Sequence, residues 1–241
     1  AIGQTLISTG AENSLARYIR SSVRVSIAAV PVLLSATGAP NFEEPERMSV
    51  RRLLQVSPLA VIGLGLNGVA VSMLFGMGAV YGLSIGLDSS EVGYFMTAPV
   101  FGALILQYPV GRLSDRFDRR MVIMGVAVVG GITAGLATLF GKGEFALLLV
   151  CMLIYGGSLF PLYSLCIAHA NDFLTPRQMV AAASGLVMVN GGGAILGSPL
   201  AALSIEFLGI GSFFVMITGL QALIATFALY RMSQRSAVPN E

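Results

Sequence analysis

Long apolar stretches alternate with short polar ones over residues 58–231. A helix needs about 20 apolar residues to cross the hydrocarbon core of a bilayer, and each of the apolar stretches is near that length or longer. None of them contains a charged residue. A segment in lipid has to satisfy its own backbone hydrogen bonds, so we expect helices rather than strands. The pattern predicts an all-α membrane protein with a six-helix transmembrane bundle over 58–231, whose segments are Pro58–Gly82, Val92–Val110, Met121–Phe140, Phe145–Ala168, Met179–Ile205 and Gly209–Tyr230.

Residues 1–36 have a different character. Arg17, Arg20 and Arg24 are spaced by three and four residues, which places them on one face of a helix. The apolar run that follows, residues 25–36, is shorter than a spanning helix needs. We predict a partial helix over about 15–36, with three alternatives for its position. It is a truncated spanning helix, an amphipathic helix on the membrane surface, or a spanning helix whose arginines extend to one interface.

Residues 37–57 join this helix to the bundle. They contain glycine, proline and charges of both signs, which is typical of a solvated linker. Within the linker, residues 48–55 predict a short amphipathic helix along the membrane surface. Residues 232–241 form a polar tail after the bundle.

Composition excludes a soluble globular domain. Only 11% of the residues are charged and 55% are hydrophobic, whereas soluble domains have about 25% charged residues. The net charge of +2 gives no basic surface for nucleic acid. We therefore expect membrane lipid as a partner and no nucleic acid.

The sequence has few residues suited to catalysis or metal binding. It contains one histidine, His169, and two cysteines, Cys151 and Cys166. On one helix these cysteines lie roughly 22 Å apart, too far for a disulfide. No nucleophile and base are paired inside the apolar segments. We predict no catalytic residues, no metal site and no cofactor, and therefore no enzyme.

Basic residues are distributed unequally between the two ends of the predicted helices. Alternate connections carry ten arginines on one side and only Lys142 on the other. Cytoplasmic connections of membrane proteins are enriched in basic residues. The linker, the 111–120 loop, the 169–177 loop and the C-terminus are thus predicted to be cytoplasmic. The ten residues are Arg47, Arg51, Arg52, Arg112, Arg116, Arg119, Arg120, Arg177, Arg231 and Arg235.

The connection between the second and third predicted helices concentrates charge. Residues 111–120 carry four of the fourteen basic residues and two of the twelve acidic ones. Their sequence, Gly-Arg-Leu-Ser-Asp-Arg-Phe-Asp-Arg-Arg, resembles the signature loop of the major facilitator superfamily, a cytoplasmic loop at this place in each six-helix half. Asp118 stands where the family commonly has a second glycine. The matching residues are Gly111, Leu113, Ser114, Asp115, Arg116, Arg119 and Arg120.

The resemblance implies both a fold and a function. It identifies 58–231 as the C-terminal half of a major facilitator fold, a 3+3 inverted repeat. Residues 1–36 would be a remnant of the N-terminal half around its fifth and sixth helices, and the missing N-terminal six-helix half would be a partner. The implied function is a secondary active transporter in the plasma (bacterial inner) membrane. It would move a small-molecule substrate, a solute or drug, by alternating access, as bacterial efflux-type members do. The alternatives are a non-transporting interaction or sensor protein built from a half-carrier, and a carrier formed by two copies of this half.

In carriers of this family the signature loop latches the cytoplasmic side and releases it when the halves rock. The implied latch residues are Gly111, Asp115, Arg116, Arg119 and Arg120. Gly111 would allow two helix ends to approach closely. Asp115 would accept hydrogen bonds at a helix N-terminus, where a carboxylate is favoured. The alternative is that these arginines only set the topology.

The resemblance also places a substrate near the middle of the bilayer, against the first and fourth helices of the half. Asn67 and Tyr155 form the favoured pair. Ser164 is a further polar residue on the fourth helix, and Gln107, Asn190 and Gln221 are intramembrane amides on other helices. Intramembrane amides otherwise bond neighbouring helices. Because no carboxylate lies inside the segments, an acid for proton coupling is expected elsewhere. The candidate cavity residues are Asn67, Ser72, Tyr81, Tyr155, Ser158, Tyr163 and Asn190.

Overall fold

The computed structural model describes residues 48–140 and 143–234, together with five helical residues, Ser22, Val23, Ser26, Ile27 and Val30. The chain divides into two compact units, 1–43 and 44–241. Apart from those five residues, the predicted helix over 15–36 and its assignment to a preceding half lie outside the described residues. Most of the linker 37–57 and of the tail 232–241 also lies outside them.

Seven helices make up the described part of the second unit. All but the first are long and apolar enough to cross a membrane, which confirms the predicted all-α six-helix bundle. The short first helix corresponds to the amphipathic segment predicted over 48–55. The helices are α1 (Val50–Val56), α2 (Pro58–Ser84), α3 (Ser89–Arg116), α4 (Arg119–Phe140), α5 (Phe145–Asn171), α6 (Pro176–Leu208) and α7 (Ser212–Gln234).

At their N-termini α3 and α6 extend beyond the apolar runs because polar residues cap them. Asp88 accepts hydrogen bonds from the N–H groups of Ser90 and Glu91, and Glu91 accepts one from Asp88 N–H, so α3 begins three residues before Val92. Thr175 and Gln178 form the same reciprocal arrangement at the start of α6. Capping of this kind satisfies backbone donors that a helix end leaves open.

The packing follows an inverted repeat of three helices. The most extensive contacts are those of α2 with α6, of α3 with α5, and of α4 with α7. Exchanging the first triplet, α2–α4, with the second, α5–α7, turns the α2–α6 contact into the contact of α5 with α3. The same exchange leaves the contact of α4 with α7 unchanged. Each triplet therefore completes its packing with the other, as in the 3+3 arrangement of transporter halves.

Glycine faces bring α2 and α6 into close contact. A Cβ on Gly68 would overlap the carbonyl oxygen of Asn190. The Ser72 and Ser198 hydroxyls lie 2.9 Å apart in a hydrogen bond between the same two helices. Small residues and interhelical hydrogen bonds are the usual means of helix association in lipid.

The α3–α5 pair uses the same device. A Cβ on Gly102 would overlap the carbonyl oxygen of Leu153, and a Cβ on Gly156 would overlap the backbone of Pro99. Because Pro99 lies within α3, the two backbones touch where α3 lacks one amide donor.

The interior consists of two apolar clusters with polar residues between them. One cluster lies at the arginine-bearing end, which we call the basic end, and the other at the opposite end. Along α2, α4, α5 and α7 the boundary between the clusters is occupied by buried polar residues, Asn67, Thr133, Ser158 and Gln221. The Gln221 side chain packs on Gly130, beside Ser158, so three helices meet in this polar layer.

Candidate functional site

The charged segment 111–120, expected to be a loop, is almost entirely helical. Helix α3 continues to Arg116 and α4 begins at Arg119, so the turn between them is only Phe117–Asp118. The charged side chains are therefore held at fixed positions on two helix ends at the basic end of the bundle.

Asp118 is the carboxylate at the helix N-terminus. Its Oδ1 accepts a hydrogen bond from the backbone N–H of Arg120 at 2.9 Å, and its Oδ2 lies 2.8 Å from Arg120 Nη2. The side-chain hydrogen bond from Arg120 lowers the pKa of Asp118 below its ordinary value, despite partial burial. The expected placement of Asp115 at the helix N-terminus is wrong. Asp115 lies in the last turn of α3, before the turn, where its side chain is 74% exposed.

Arg119 connects the start of α4 to the end of α5. It donates a hydrogen bond to the carbonyl oxygen of Ala168 at 2.9 Å and is paired with Asp172. Burial raises the pKa of Asp172, an effect that the Arg119 charge only partly offsets. Two of the predicted latch residues, Arg119 and Arg120, thus bind inside this six-helix unit.

The other predicted latch residues face outward. Arg116 is exposed, and no acidic group of the described residues lies within salt-bridge distance of it. Asp115 has only a long contact with Arg119, at 3.9 Å. The space beside Gly111 is open, so the close helix approach expected there is not formed within the described part of the unit.

A cavity of about 360 Å³ lies between α3 and α5 at the basic end. The Arg112 guanidinium stacks on the Tyr108 ring at its rim, 5.0 Å from the ring centroid. Tyr108 and Arg112 were missed as site residues, although their i, i+4 spacing next to Gly111 indicates a shared face. The lining residues are Gln107, Tyr108, Val110, Gly111, Arg112, Ser114, Asp115, Pro161, Ser164, Leu165 and Ala168.

The favoured cavity pair lies inside the unit. Asn67 is 1% exposed and Tyr155 is fully buried. Among the described residues, Asn67 Oδ1, the Tyr155 hydroxyl and both Gln221 side-chain heteroatoms are buried without an aligned hydrogen-bond partner. Ser158 donates to the carbonyl oxygen of Ile154 in its own helix. None of these side chains lines the α3–α5 cavity, and their role in binding substrate stays a prediction.

The remaining candidates also make contacts within the unit. Ser72 is bonded to Ser198, and Asn190 donates to the carbonyl oxygen of Leu64. Tyr163 packs partly buried against the apolar cluster of the basic end.

Tyr81 lies at the opposite end, where it is 3% exposed. Its ring stacks on Phe213 with centroids 4.8 Å apart and meets Phe214 edge-on at 4.9 Å. Such pairs stabilise helix packing, so we assign Tyr81 to the junction of α2 and α7.

Comparison with known proteins supplies the family. The family model described as Major Facilitator Superfamily matches residues 60–241. The chain is 24% identical over 215 residues to the uncharacterized MFS-type transporter YcaD of Escherichia fergusonii, covering 87% of this chain and 54% of that protein. It is 25% identical over 217 residues to an uncharacterized MFS-type transporter of Enterobacter sp. strain 638, and the match covers 89% of this chain and 55% of that protein. The chain thus spans about half the length of the curated relatives it matches. No solved structure matches it.

Proposed function

The chain belongs to the Major Facilitator Superfamily, and on that basis we propose that it supplies one six-helix half of a secondary active transporter. This transporter moves a small solute or drug across the plasma membrane by alternating access. The observation that carries the proposal is the family match over residues 60–241. Six membrane-spanning helices, packed as two interlocked triplets, support it.

A second six-helix unit of the same family is the proposed partner. In α3 and α6 only 22% of the apolar membrane stretch is buried, against 44% to 61% in the other spanning helices. The exposed face of α3 contains aromatic and aliphatic side chains such as Phe101 and Leu104, and α6 exposes Val187 and Ile195. These faces supply the surface on which the second unit would pack, while the rest of each face contacts lipid.

The proposed solute site is the α3–α5 cavity. Its volume of about 360 Å³ is within the usual range of about 300–1,000 Å³ for small-molecule sites. Its wall is largely apolar, and Gln107 and Ser164 contribute polar groups that can orient a solute. Closure by the second unit would exclude water from this cavity.

The latch divides into two functional parts. Arg119 and Arg120 hold α4 to α5 and to the α3–α4 turn, so they form a rigid base. Asp115 and Arg116 are exposed on that base, and we assign to them the contact with the second unit. This contact would form when the proposed cytoplasmic side closes and break when it opens.

The test combines accessibility with transport. In a chain with Cys151 and Cys166 replaced by alanine, we expect Gln107→Cys and Ser164→Cys to react with a membrane-impermeant maleimide. Ile132→Cys, exposed on α4 at mid-membrane depth, should not react because lipid covers it. In proteoliposomes of a carrier that contains both six-helix units, with an imposed proton gradient, at least one labelled sugar, amino acid or ethidium should move and protect Ser164→Cys. Unreactive cavity thiols would reject the solute site. Reactive thiols without any transport would favour a non-transporting interaction protein.

A further inference from the structure

A second, smaller cavity lies at the basic end, away from the α3–α5 cavity. Its volume is about 30 Å³, and residues of five helices, α1, α2, α4, α5 and α7, and of their connections meet around it. We call it the junction cavity. It is lined by Val56, Ser57, Pro58, Leu59, Arg120, His169, Phe173 and Arg231.

Positive charge exceeds negative charge around the junction cavity. Arg120 is paired with Asp118, and Arg119 nearby is paired with Asp172. Arg231 has no acidic group of the described residues within salt-bridge distance. His169 is 6% exposed, and its Nδ1 lies 4.0 Å from Asp172. One guanidinium thus remains to attract an anion.

The N-terminus of α2 opens on the same cavity. Ser57 is its N-cap residue but makes no side-chain capping bond, and the first turn has no acidic residue. The N–H groups of a helix's first turn have no partner inside the helix, and they favour negative charge. Anions bind readily at such helix ends.

The Ser57 hydroxyl is an independent sign of a ligand. Ser57 is 2% exposed, and its Oγ has no hydrogen-bond partner in the described part of the chain. Buried hydroxyls are almost always hydrogen-bonded. A hydroxyl donor without a partner, in a cavity that two guanidinium groups also line, matches an oxyanion better than a cation or an apolar group.

We propose that the junction cavity binds one phosphate group. Its volume of about 30 Å³ exceeds the ~10–15 Å³ that one water needs, and it is open on one side, so phosphate oxygens enter while the rest of the ligand stays outside. Arg231 binds the oxygens, as guanidinium groups commonly do, and the charge of Arg120, which is paired with Asp118, lies in the wall of the same cavity. The Ser57 hydroxyl and the first-turn N–H groups of α2 that follow Pro58, which has none, donate to the same oxygens. The group is the headgroup of an anionic phospholipid or free inorganic phosphate.

Thermal unfolding of the purified full chain in nonionic detergent tests the proposal. Both cysteines are free and buried, so a thiol-reactive dye reports unfolding. The additives are inorganic phosphate, short-chain phosphatidylglycerol, and a diacylglycerol with the same acyl chains. Phosphate or phosphatidylglycerol should raise the melting temperature, and diacylglycerol should not. Stabilisation by inorganic phosphate identifies a free-phosphate site, whereas stabilisation by phosphatidylglycerol alone identifies a lipid site.

Three variants decide whether the junction cavity is responsible. Arg231→Gln should raise the concentration of the stabilising additive that gives half of the maximal increase in melting temperature about tenfold or more, because it removes a charged hydrogen-bond donor. Ser57→Ala, which removes only a hydroxyl, should raise it several-fold. Arg116→Gln, the same charge change outside the cavity, should leave it unchanged. If neither additive stabilises the protein, the proposal is rejected. It is also rejected if Arg231→Gln and Ser57→Ala bind like the parent chain, or if Arg116→Gln weakens binding as much.

Discussion

Gly193 of α6 lies so close to Gly65 of α2 that a Cβ on Gly193 would overlap the Gly65 carbonyl oxygen. The neighbouring Gly192 has open space at the same position among the described residues. The two glycines therefore serve different purposes in one glycine-rich stretch. Gly193 permits contact between the backbones of α2 and α6, and Gly192 does not face α2.

Gly193→Ala should destabilise the protein by about 1–3 kcal/mol or more, because neither backbone can yield without separating α2 from α6. Gly192→Ala should have a melting temperature equal to or above that of the parent chain, since alanine is a better helix former than glycine. The dye-based melting assay measures both variants. Equal melting temperatures would show that the close contact does not limit stability.

Asp118→Asn should cost about 1–3 kcal/mol, because it removes the charge that Arg120 binds. The pKa of Asp118 is lowered in the folded state, so its stabilisation is fully present above the unfolded value of about 3.9. That stabilisation is lost as the pH falls through the folded pKa. The difference in melting temperature between the parent and Asp118→Asn should be constant from pH 7 to about pH 5 and shrink below about pH 4.

The matched control for Asp118 is Asp115→Asn. Its side chain is 74% exposed, and the change should leave the melting temperature nearly unaffected. If Asp115→Asn proved as costly as Asp118→Asn, the assignment of the helix-capping carboxylate to Asp118 would fail.

Tyr81→Ala should lower stability by about 3–5 kcal/mol, the usual cost of removing a large buried aromatic side chain. Tyr81→Phe should retain most of that stability, because the ring contacts with Phe213 and Phe214 remain. Melting temperatures of the two variants provide the measurement. A Tyr81→Phe variant as unstable as Tyr81→Ala would mean that the hydroxyl matters more than the ring.

The proposed topology is open to direct labelling. Asp115→Cys should react with an impermeant maleimide from the cytoplasmic side only, and Glu144→Cys, exposed at the other end, from the outer side only. The expectation rests on the ten-to-one distribution of basic residues. The reverse labelling pattern would invert the proposed orientation.

Asp115→Asn and Arg116→Gln should weaken the latch in a carrier that contains both six-helix units. Because the latch closes the proposed cytoplasmic side, its loss should increase labelling of Ser164→Cys from that side several-fold. Glu206→Gln, exposed at the opposite end, should leave the labelling rate unchanged. If Asp115→Asn and Arg116→Gln left the labelling rate as unchanged as Glu206→Gln does, Asp115 and Arg116 would serve only to set the topology.

Much of the fold could be predicted because its determinants are local. The six spanning helices follow from apolar length. At their N-termini α3 and α6 exceed the predicted ranges where Asp88 and Thr175 cap them, and at its C-terminus α3 continues through the charged segment to Arg116. The 111–120 pattern likewise located the charged connection, although it predicted a loop where the structure has two helix ends. Charge and apolar length act on each segment independently of its neighbours.

Sequence alone could not determine which polar side chains face the interior. Helices that are apolar all round carry no periodic face to orient them, so Asn67 and Tyr155 could be assigned to a helix but not to a side of it. The glycine contacts, such as Gly156 against Pro99, set the rotation of each helix, and they depend on residues distant in the chain. The same holds for the junction cavity, where Ser57, Arg120, His169 and Arg231 come together only after four helices have packed. Sequence thus determined the number and approximate position of the spanning helices and which end of the bundle carries the charge, and tertiary packing decided which side chains meet between the helices.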